Sequence, residues 1–168
     1  QTVELVDAEK FNEAIDKINF AKSVSKKIDN YITSCLLNIQ LGNLQEAKKD
    51  LNNALEMDAN NVRVLEIAGD IAQNEEDYDS AVDFYLRALE LAEKKSIIIE
   101  KLIFIYVEKE LYDDAIALST ALIDENPDDP DIYFNVGIIY QRLASKLYDD
   151  SVNLWKKITQ EDNPKETE

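Results

Sequence analysis

The side chains in this sequence with the greatest capacity for chemistry are its carboxylates, which number 35 among 168 residues. They are dense around Pro127 and Pro130, in the stretch from Asp124 to Asp131. A glycosidase needs two carboxyl groups that converge across a sugar cleft, and a calcium-binding helix–loop–helix needs a central Gly and a terminal Glu. This stretch lacks that Gly and that Glu, and it is better interpreted as a solvated turn. We therefore expect no catalytic carboxylate pair and no metal site from it.

The single thiol, Cys35, is the second candidate for chemistry. The chain contains no His, so a Ser-His-Asp or Cys-His nucleophile system cannot be assembled and the commonest metal ligand is absent. Cys35 lies in an apolar stretch without a basic neighbour, where a thiol usually packs as a small apolar side chain. We expect a protein that is not an enzyme, with no catalytic residue, no metal and no cofactor.

Composition favours an all-helical protein. The 168 residues include only three Gly and three Pro, 45% are apolar, and the formal charge is −17. Few helix breakers disfavour a turn-rich β-sandwich or a Gly-dependent dinucleotide fold, and the apolar fraction is too high for a disordered acidic tail. Nucleic acid is not an expected partner, because the negative charge repels phosphate and no basic stripe interrupts it.

The sequence also bears on membranes and on targeting. The longest apolar runs, 97–99 and 102–107, are separated by Glu100 and Lys101 and are far shorter than the ~20 residues that span a bilayer, so direct membrane insertion is not expected. Gln1 is not an initiator Met and no signal peptide is visible, so we expect a fragment or a processed chain. For location we favour the cytoplasm, with an exported or periplasmic location as the alternative if a signal peptide has been removed.

A repeat of constant length organises the chain. Ala47, Ala81 and Ala115 follow one another at intervals of 34 residues, in segments of similar sequence. The same interval aligns four residues in each of two further columns, which are Tyr31, Leu65, Ile99 and Tyr133, and Cys35, Gly69, Ile103 and Gly137.

Each repeat is predicted to form two helices. In the first helix, large apolar residues recur three and four positions apart, which suits one buried helical face. In the second, small residues such as Ala81 allow close helix approach and Tyr85 fills the space between repeats. Ser119 occupies the column of Tyr85 in the next repeat, and Leu122 occupies the column of Ala88. We expect this pair to compensate in volume.

This pattern resembles the tetratricopeptide repeat family, whose motif is a large residue, Leu-Gly, Tyr, Ala, an aromatic residue, Ala and Pro. The resemblance implies an all-α fold, an α-solenoid of antiparallel helix pairs wound into a superhelix, with about four repeats and an N-terminal half-repeat. The best match runs through Leu65, Ala68, Gly69, Ala72, Ala81, Tyr85 and Ala88.

We predict one array over residues 1–168. It consists of a partial N-terminal repeat at 1–27, repeats at 28–61, 62–95 and 96–129, and a divergent C-terminal repeat at 130–165. Two inserted residues in this last repeat place Ser151 and Trp155 where Ala and an aromatic residue belong, and they predict a lengthened first helix.

Tetratricopeptide repeat proteins generally act as binding scaffolds without catalysis, and the first helix of each pair lines an extended concave groove. The resemblance therefore implies a partner-binding groove with five carboxylates, two basic residues and several apolar groups. We expect a protein or peptide partner with basic and apolar residues. The groove residues are Asp29, Ile32, Thr33, Leu36, Arg63, Glu66, Ile67, Asp70, Ile97, Glu100, Lys101, Phe104, Asp131, Phe134, Asn135 and Ile138.

Other interpretations of the same residues stay open. The acidic residues can be a solubilising face, Ile32 and Leu36 can pack against the preceding repeat, and Phe134 and Ile138 can be covered by a following helix. Family members that grip terminal carboxylates use Lys, Asn and Arg in the groove. Only Lys101 matches that set, so a receptor of this type is not expected.

The alternative function is an assembly or regulatory element that stacks on itself or on another domain of the same chain. The half-repeat at Phe11–Ala21 and the terminal helix around Trp155 each leave one side uncovered, which favours self-association through the ends of the array.

Overall fold

The structure is a computed structural model that describes residues 2–125 and 127–161. The regular secondary structure of these residues is helical, with no strand among them. The helices are α1 (Thr2–Val24), α2 (Ile28–Gln40), α3 (Leu44–Met57), α4 (Val62–Asn74), α5 (Tyr78–Leu91), α6 (Ser96–Glu108), α7 (Tyr112–Glu125) and α8 (Pro130–Glu161).

The helix starts repeat with the interval seen in the sequence. Helices α2, α4, α6 and α8 begin 34 residues apart, at Ile28, Val62, Ser96 and Pro130. Helices α3, α5 and α7 begin at Leu44, Tyr78 and Tyr112, with the same interval. The predicted all-α, helix-pair fold is confirmed, and the exact boundaries of the repeats stay a prediction.

The turn inside each helix pair also repeats. Its central residue has a positive φ, of 74° at Gly42, 60° at Glu76 and 59° at Glu110, and a residue in this left-handed conformation commonly ends an α-helix. The amide that follows it turns back to a carbonyl in the last turn of the first helix, at 2.8 to 2.9 Å. These hydrogen bonds run from Asn43 to Asn38, from Asp77 to Ala72 and from Leu111 to Tyr106.

The chain divides into two compact units, an N-terminal unit, Gln1–Ile98, and a C-terminal unit, Ile99–Glu168. In the N-terminal unit, consecutive helices from α1 to α5 contact one another. Small residues such as Ala47 and Ala54 are fully buried there, which lets the helix axes approach closely. One core cluster of this unit contains Ile32, Cys35, Ala47, Leu51, Ala54, Val64, Ile67, Ala68 and Ile71.

A buried ion pair connects α1 to α3 in the N-terminal unit. The ammonium of Lys22 lies 2.7 and 2.9 Å from the two carboxylate oxygens of Asp50 and donates to Ser34 Oγ at 2.9 Å. It also lies 5.8 Å from the centre of the Tyr31 ring. Ser34 and Asp50 are buried, so the charge of Asp50 depends on Lys22 for its compensation.

In the C-terminal unit, α8 packs against α7. The sequence predicts a divergent helix pair over 130–165, but α8 continues from Pro130 to Glu161 as one helix of 32 residues. The segment 141–150 contains no Gly, Pro or Asn, and no described residue in it has the positive φ that ends α2, α4 and α6. The lengthened helix that we expected therefore includes the second helix as well.

None of the helices within residues 2–125 and 127–161 combines the length and the apolar character that a membrane span requires.

Candidate functional site

Two apolar residues predicted for the groove, Ile32 and Ile67, are buried. Their exposed fractions are 3% and 6%, and both belong to the core cluster of the N-terminal unit. Ile32 lies three residues before Cys35 and Ile67 lies four before Ile71, so each shares a helical face with another core residue. The expectation that these two side chains face a partner is therefore corrected.

The other groove residues of the N-terminal unit reach the surface to different degrees. Leu36 is half-buried and packs against the core cluster, which is built from residues of α2, α3 and α4. Glu66 and Asp70 are also half-buried, and the exposed ones are Asp29, Thr33, Arg63 and Ile97.

An apolar cavity of about 280 Å³ lies in the C-terminal unit. Phe104 and Ile138 are partly exposed there, by 45% and 38%, so part of the lining reaches solvent. A cavity of roughly 150 Å³ with apolar walls holds a benzene ring, so this one has room for a large side chain from a ligand. The lining residues are Glu100, Ile103, Phe104 and Val107 from α6, Ser119 and Leu122 from α7, and Ile132, Asn135, Val136, Ile138, Ile139 and Arg142 from α8.

Four of the predicted groove residues line this cavity, namely Glu100, Phe104, Asn135 and Ile138. The remaining predictions in the C-terminal unit, Lys101, Asp131 and Phe134, do not. Sequence reasoning missed the other eight lining residues. One signal was available for them: Ser119 is a small residue in a column where a large side chain is expected.

In the preceding repeat, the position that corresponds to Ser119 holds a large aromatic residue, Tyr85. Tyr85 is fully buried in the N-terminal unit, and its ring lies so close to Gly69 that a Cβ on this glycine would be 2.4 Å away. The Tyr85 hydroxyl donates to Asp70 Oδ1 at 2.6 Å and lies 3.0 Å from Gln73 Oε1. Burial, together with the Asp70 carboxylate, raises the pKa of Tyr85 above its usual range.

In the repeat that follows, the side chains in these columns are Ile103 and Ser119. Ser119 is buried, and its hydroxyl donates to the Ala115 carbonyl at 2.7 Å, within its own helix. Ile103 and Leu122 are larger than Gly69 and Ala88, but the cavity beside them remains open. The expected compensation in volume is therefore incomplete.

Charged groups occupy the exposed part of the lining. Glu100 and Arg142 are both exposed, and Arg142 donates to Glu108 Oε1 at 2.6 Å. Lys146, one turn further along α8, pairs with Glu110. Arg142 is therefore paired within the chain, and Glu100 contributes a carboxylate to the cavity lining.

The structure gives no catalytic role to the thiol. Cys35 is 1% exposed, and burial, with a smaller contribution from the Asp50 charge, raises the pKa of Cys35 to about 11. A thiol with that pKa is almost entirely protonated at neutral pH, and the thiolate is the nucleophilic form. Among residues 2–125 and 127–161, no three or more Cys, Asp or Glu side chains are grouped so that they could hold a metal ion.

Helix pairs that repeat every 34 residues define a class, the helix-pair solenoids of tetratricopeptide type. Within it, the family model for the tetratricopeptide repeat protein 21 C-terminal ARM domain matches residues 5–136. The chain belongs to this family. Scaffold families of this type are generally non-enzymatic.

Relatives of known identity support the same fold. The chain is 26% identical over 133 residues to anaphase-promoting complex subunit 3 of Schizosaccharomyces pombe, which covers 77% of this chain and 20% of that protein. It therefore spans about a fifth of the length of this relative.

Among solved structures, a tetratricopeptide repeat protein from Parabacteroides merdae has a TM-score of 0.70 at 20% identity, covering 89% of this chain and 60% of that one. YrrB, described as a TPR protein with an unusual peptide-binding site, has a TM-score of 0.65 at 19% identity, covering 82% and 71%. At these identities the likeness shows the fold alone.

Proposed function

We propose that the chain is a non-catalytic protein-interaction scaffold that binds a peptide segment, with an apolar side chain of the peptide held in the cavity of the C-terminal unit. The observation that carries this proposal is the open apolar space beside Ser119, where the preceding repeat holds its own buried tyrosine. In this proposal, a side chain of the partner fills the space that no side chain of this protein occupies.

The size and lining of the cavity favour a peptide over a small metabolite. Its volume of about 280 Å³ is at the lower limit of small-molecule sites, roughly 300–1,000 Å³, and suits one anchoring residue. The partly exposed Phe104 and Ile138 extend the apolar surface beyond the cavity, so residues next to the anchor find further contacts. The relatives supply context: YrrB is described as having a peptide-binding site, and the curated relative is a subunit of a complex.

Charge selects the residues that flank the anchor. Glu100 lines the cavity, and the chain has a net charge of −17. We infer a partner whose apolar residue is flanked by Lys or Arg, with the carboxylates acting mainly on the rate of encounter and on selectivity.

The first experiment fills the cavity. Ser119→Leu places a larger apolar side chain in it, and Thr120→Leu is the matched control, because the Thr120 hydroxyl also donates within α7, to Ile116, but the side chain is exposed. Lys-flanked peptides with a central Leu, Phe or Trp are titrated by calorimetry, with a central Ala peptide for comparison. We expect the wild type and Thr120→Leu to bind the apolar peptides at least tenfold more tightly than the Ala peptide. Ser119→Leu is expected to lose this preference while keeping its melting temperature.

Equal binding by Ser119→Leu and by the wild type would contradict the cavity as the anchor site. So would equal affinity of the wild type for the apolar and the Ala peptides.

The second experiment tests charge with Glu100→Lys. Asp70 is unsuitable for such a test, because it accepts the hydrogen bond of the Tyr85 hydroxyl. Glu90→Lys, at an exposed position of α5 that is not part of the cavity lining, makes the same change of net charge. Association measured by stopped-flow fluorescence at low salt is expected to slow more in Glu100→Lys than in Glu90→Lys. Equal rates in the two variants would remove Glu100 from the proposal.

The alternative function, assembly through the ends of the array, depends on a different surface and is supported by the exposed apolar residues of α8.

A further inference from the structure

The second half of α8 carries an uncovered apolar surface. Among residues 147–159, every side chain is exposed except Val152, which is half-buried. Five of them are large and apolar and are between 51% and 70% exposed. They are Leu147, Tyr148, Leu154, Trp155 and Ile158.

These residues lie along one stripe of the helix. Leu147, Ser151, Leu154 and Ile158 alternate in steps of four, three and four, which is the spacing of the seam where two helices pack. Tyr148 and Trp155 flank the stripe on one side, and Asp150 and Lys157 flank it on the other. Large apolar side chains exposed together on one helical face mark an interaction surface.

We propose that this stripe packs against the same stripe of a second copy of this chain. The two helices are antiparallel, and the twofold axis crosses the stripe midway between Ser151 and Leu154, at the level of Val152 and Asn153. In this arrangement Leu147 lies opposite Ile158 of the second copy, and Ser151 lies opposite Leu154 of the second copy. The contact is isologous, because each copy presents the same residues to the other.

Charge complementarity identifies the occupant and its direction. The antiparallel arrangement brings Asp150 next to Lys157 of the second copy, once on each side of the axis, and flanking charges of this kind set partner choice and orientation in paired helices. On the other edge, Tyr148 meets Trp155 of the second copy, which gives two aromatic pairs. A parallel arrangement would place Asp150 beside Trp155 and would form neither pair.

The length of the stripe predicts a reversible dimer. The interface comprises about eight residues of each copy, fewer than the roughly 20–30 residues a side of a standard specific interface, so the dimer should dissociate on dilution. This surface does not depend on the peptide cavity, and the two sites are tested by different variants. The inference therefore goes beyond the proposed peptide binding and specifies the surface and the partner for the alternative function, assembly.

The single tryptophan of the sequence, Trp155, reports on the contact directly. Sedimentation equilibrium over a wide range of concentrations is combined with Trp emission spectra. We expect a monomer–dimer equilibrium, with emission that shifts to shorter wavelength as the dimer forms. Lys157→Asp brings two carboxylates together on each side of the axis and is expected to weaken the dimer at least tenfold. The double variant Asp150→Lys with Lys157→Asp reverses the charges in register and is expected to recover it.

Lys156→Asp is the matched control. It makes the same change of charge one residue away, on the side of α8 that faces away from the stripe, and it should leave the dimer intact. A chain that stays monomeric at all concentrations would overturn the proposal and leave the stripe to a different partner. A dimer that Lys157→Asp and Lys156→Asp weaken equally, or that the double charge reversal fails to restore, would overturn the arrangement proposed here.

Discussion

The position of Tyr85 in the N-terminal unit and the position of Ser119 in the C-terminal unit are equivalent in the repeat, yet they have opposite effects on packing. Tyr85 is fully buried against Gly69 and hydrogen-bonded to Asp70. Ser119 turns its hydroxyl to its own helix and lines an open cavity. One column of the repeat therefore stabilises the first unit and creates a candidate binding site in the second. A repeat fold tolerates this because each unit is stabilised mainly by its own contacts and those of its neighbours.

Tyr85→Ala should cause the largest loss of stability. It removes a fully buried aromatic ring and its hydrogen bond, and such truncations cost about 3–5 kcal/mol of the free energy of unfolding. Urea unfolding followed by circular dichroism measures the loss. Tyr85→Phe keeps the ring and is expected to cost only about 1 kcal/mol. If Tyr85→Ala cost no more than Tyr85→Phe, the ring would not be the element that fills the N-terminal unit.

Lys22→Met tests the second tightly packed feature of the N-terminal unit. It leaves the buried carboxylate of Asp50 without its ammonium partner, and breaking a buried pair in this way costs about 3–5 kcal/mol. We expect the lower end of that range, because the Lys22 side chain retains 18% exposure.

Lys17→Met is the control for this change, since Lys17 pairs with Glu13 on the exposed surface of the same helix. Exposed pairs of this type contribute only about 0.3–0.5 kcal/mol. Similar losses in the two variants would show that the buried pair does not hold α1 in place.

Gly69→Ala tests the contact between glycine and tyrosine in the N-terminal unit. The new Cβ would lie 2.4 Å from the buried Tyr85 ring, so the ring or the helix must move. Overpacking of this kind costs about 1–3 kcal/mol. Combining the change with Tyr85→Ala should relieve it, so the two effects should be less than additive in a double-mutant cycle. Additive effects would mean that the two residues do not contact each other.

The free energy of unfolding should fall at alkaline pH, because Cys35 is buried in the N-terminal unit. This effect is smaller than those of the substitutions above. Burial raises the pKa of Cys35 from its ordinary 9.0 to about 11, so the native state keeps its proton where the unfolded state has lost it. Below pH 9 both states carry the proton and this contribution is complete; between pH 9 and pH 11 it is lost as pH rises. The pKa of Tyr85 is raised as well, which adds a further decline at higher pH.

Cys35→Ala separates the two contributions. Its free energy of unfolding, measured in urea from pH 7 to pH 11, should fall less steeply with pH than that of the wild type. Parallel pH profiles would mean that the thiol is not buried in the folded chain.

The sequence predicted the parts of this molecule that repeat. The 34-residue interval of Ala47, Ala81 and Ala115 predicts helix pairs, and the packing role of Tyr85 follows from its column. The motif does not give the width of the buried face, and it therefore predicts Ile32 and Ile67 in the groove although both pack in the core. The cavity could not be predicted for a different reason. Its volume depends on the space beside the small Ser119 side chain and on α8 residues such as Ile132 and Ile139, and the sequence does not show how these residues pack together.

The smallest predicted effect is a gain in stability, whereas the substitutions above cause losses. Gly137 occupies the column of Gly69, but a Cβ on it would meet no atom within 4 Å. Alanine lowers the backbone entropy of the unfolded chain and favours the helix by up to about 1 kcal/mol relative to glycine. Gly137→Ala should therefore raise the melting temperature slightly, whereas Gly69→Ala lowers it. Because the two substitutions are chemically identical and lie in one repeat column, the difference between their melting temperatures measures how differently the two units are packed. A loss of stability in Gly137→Ala would show that the C-terminal unit is packed at this position as tightly as the N-terminal unit.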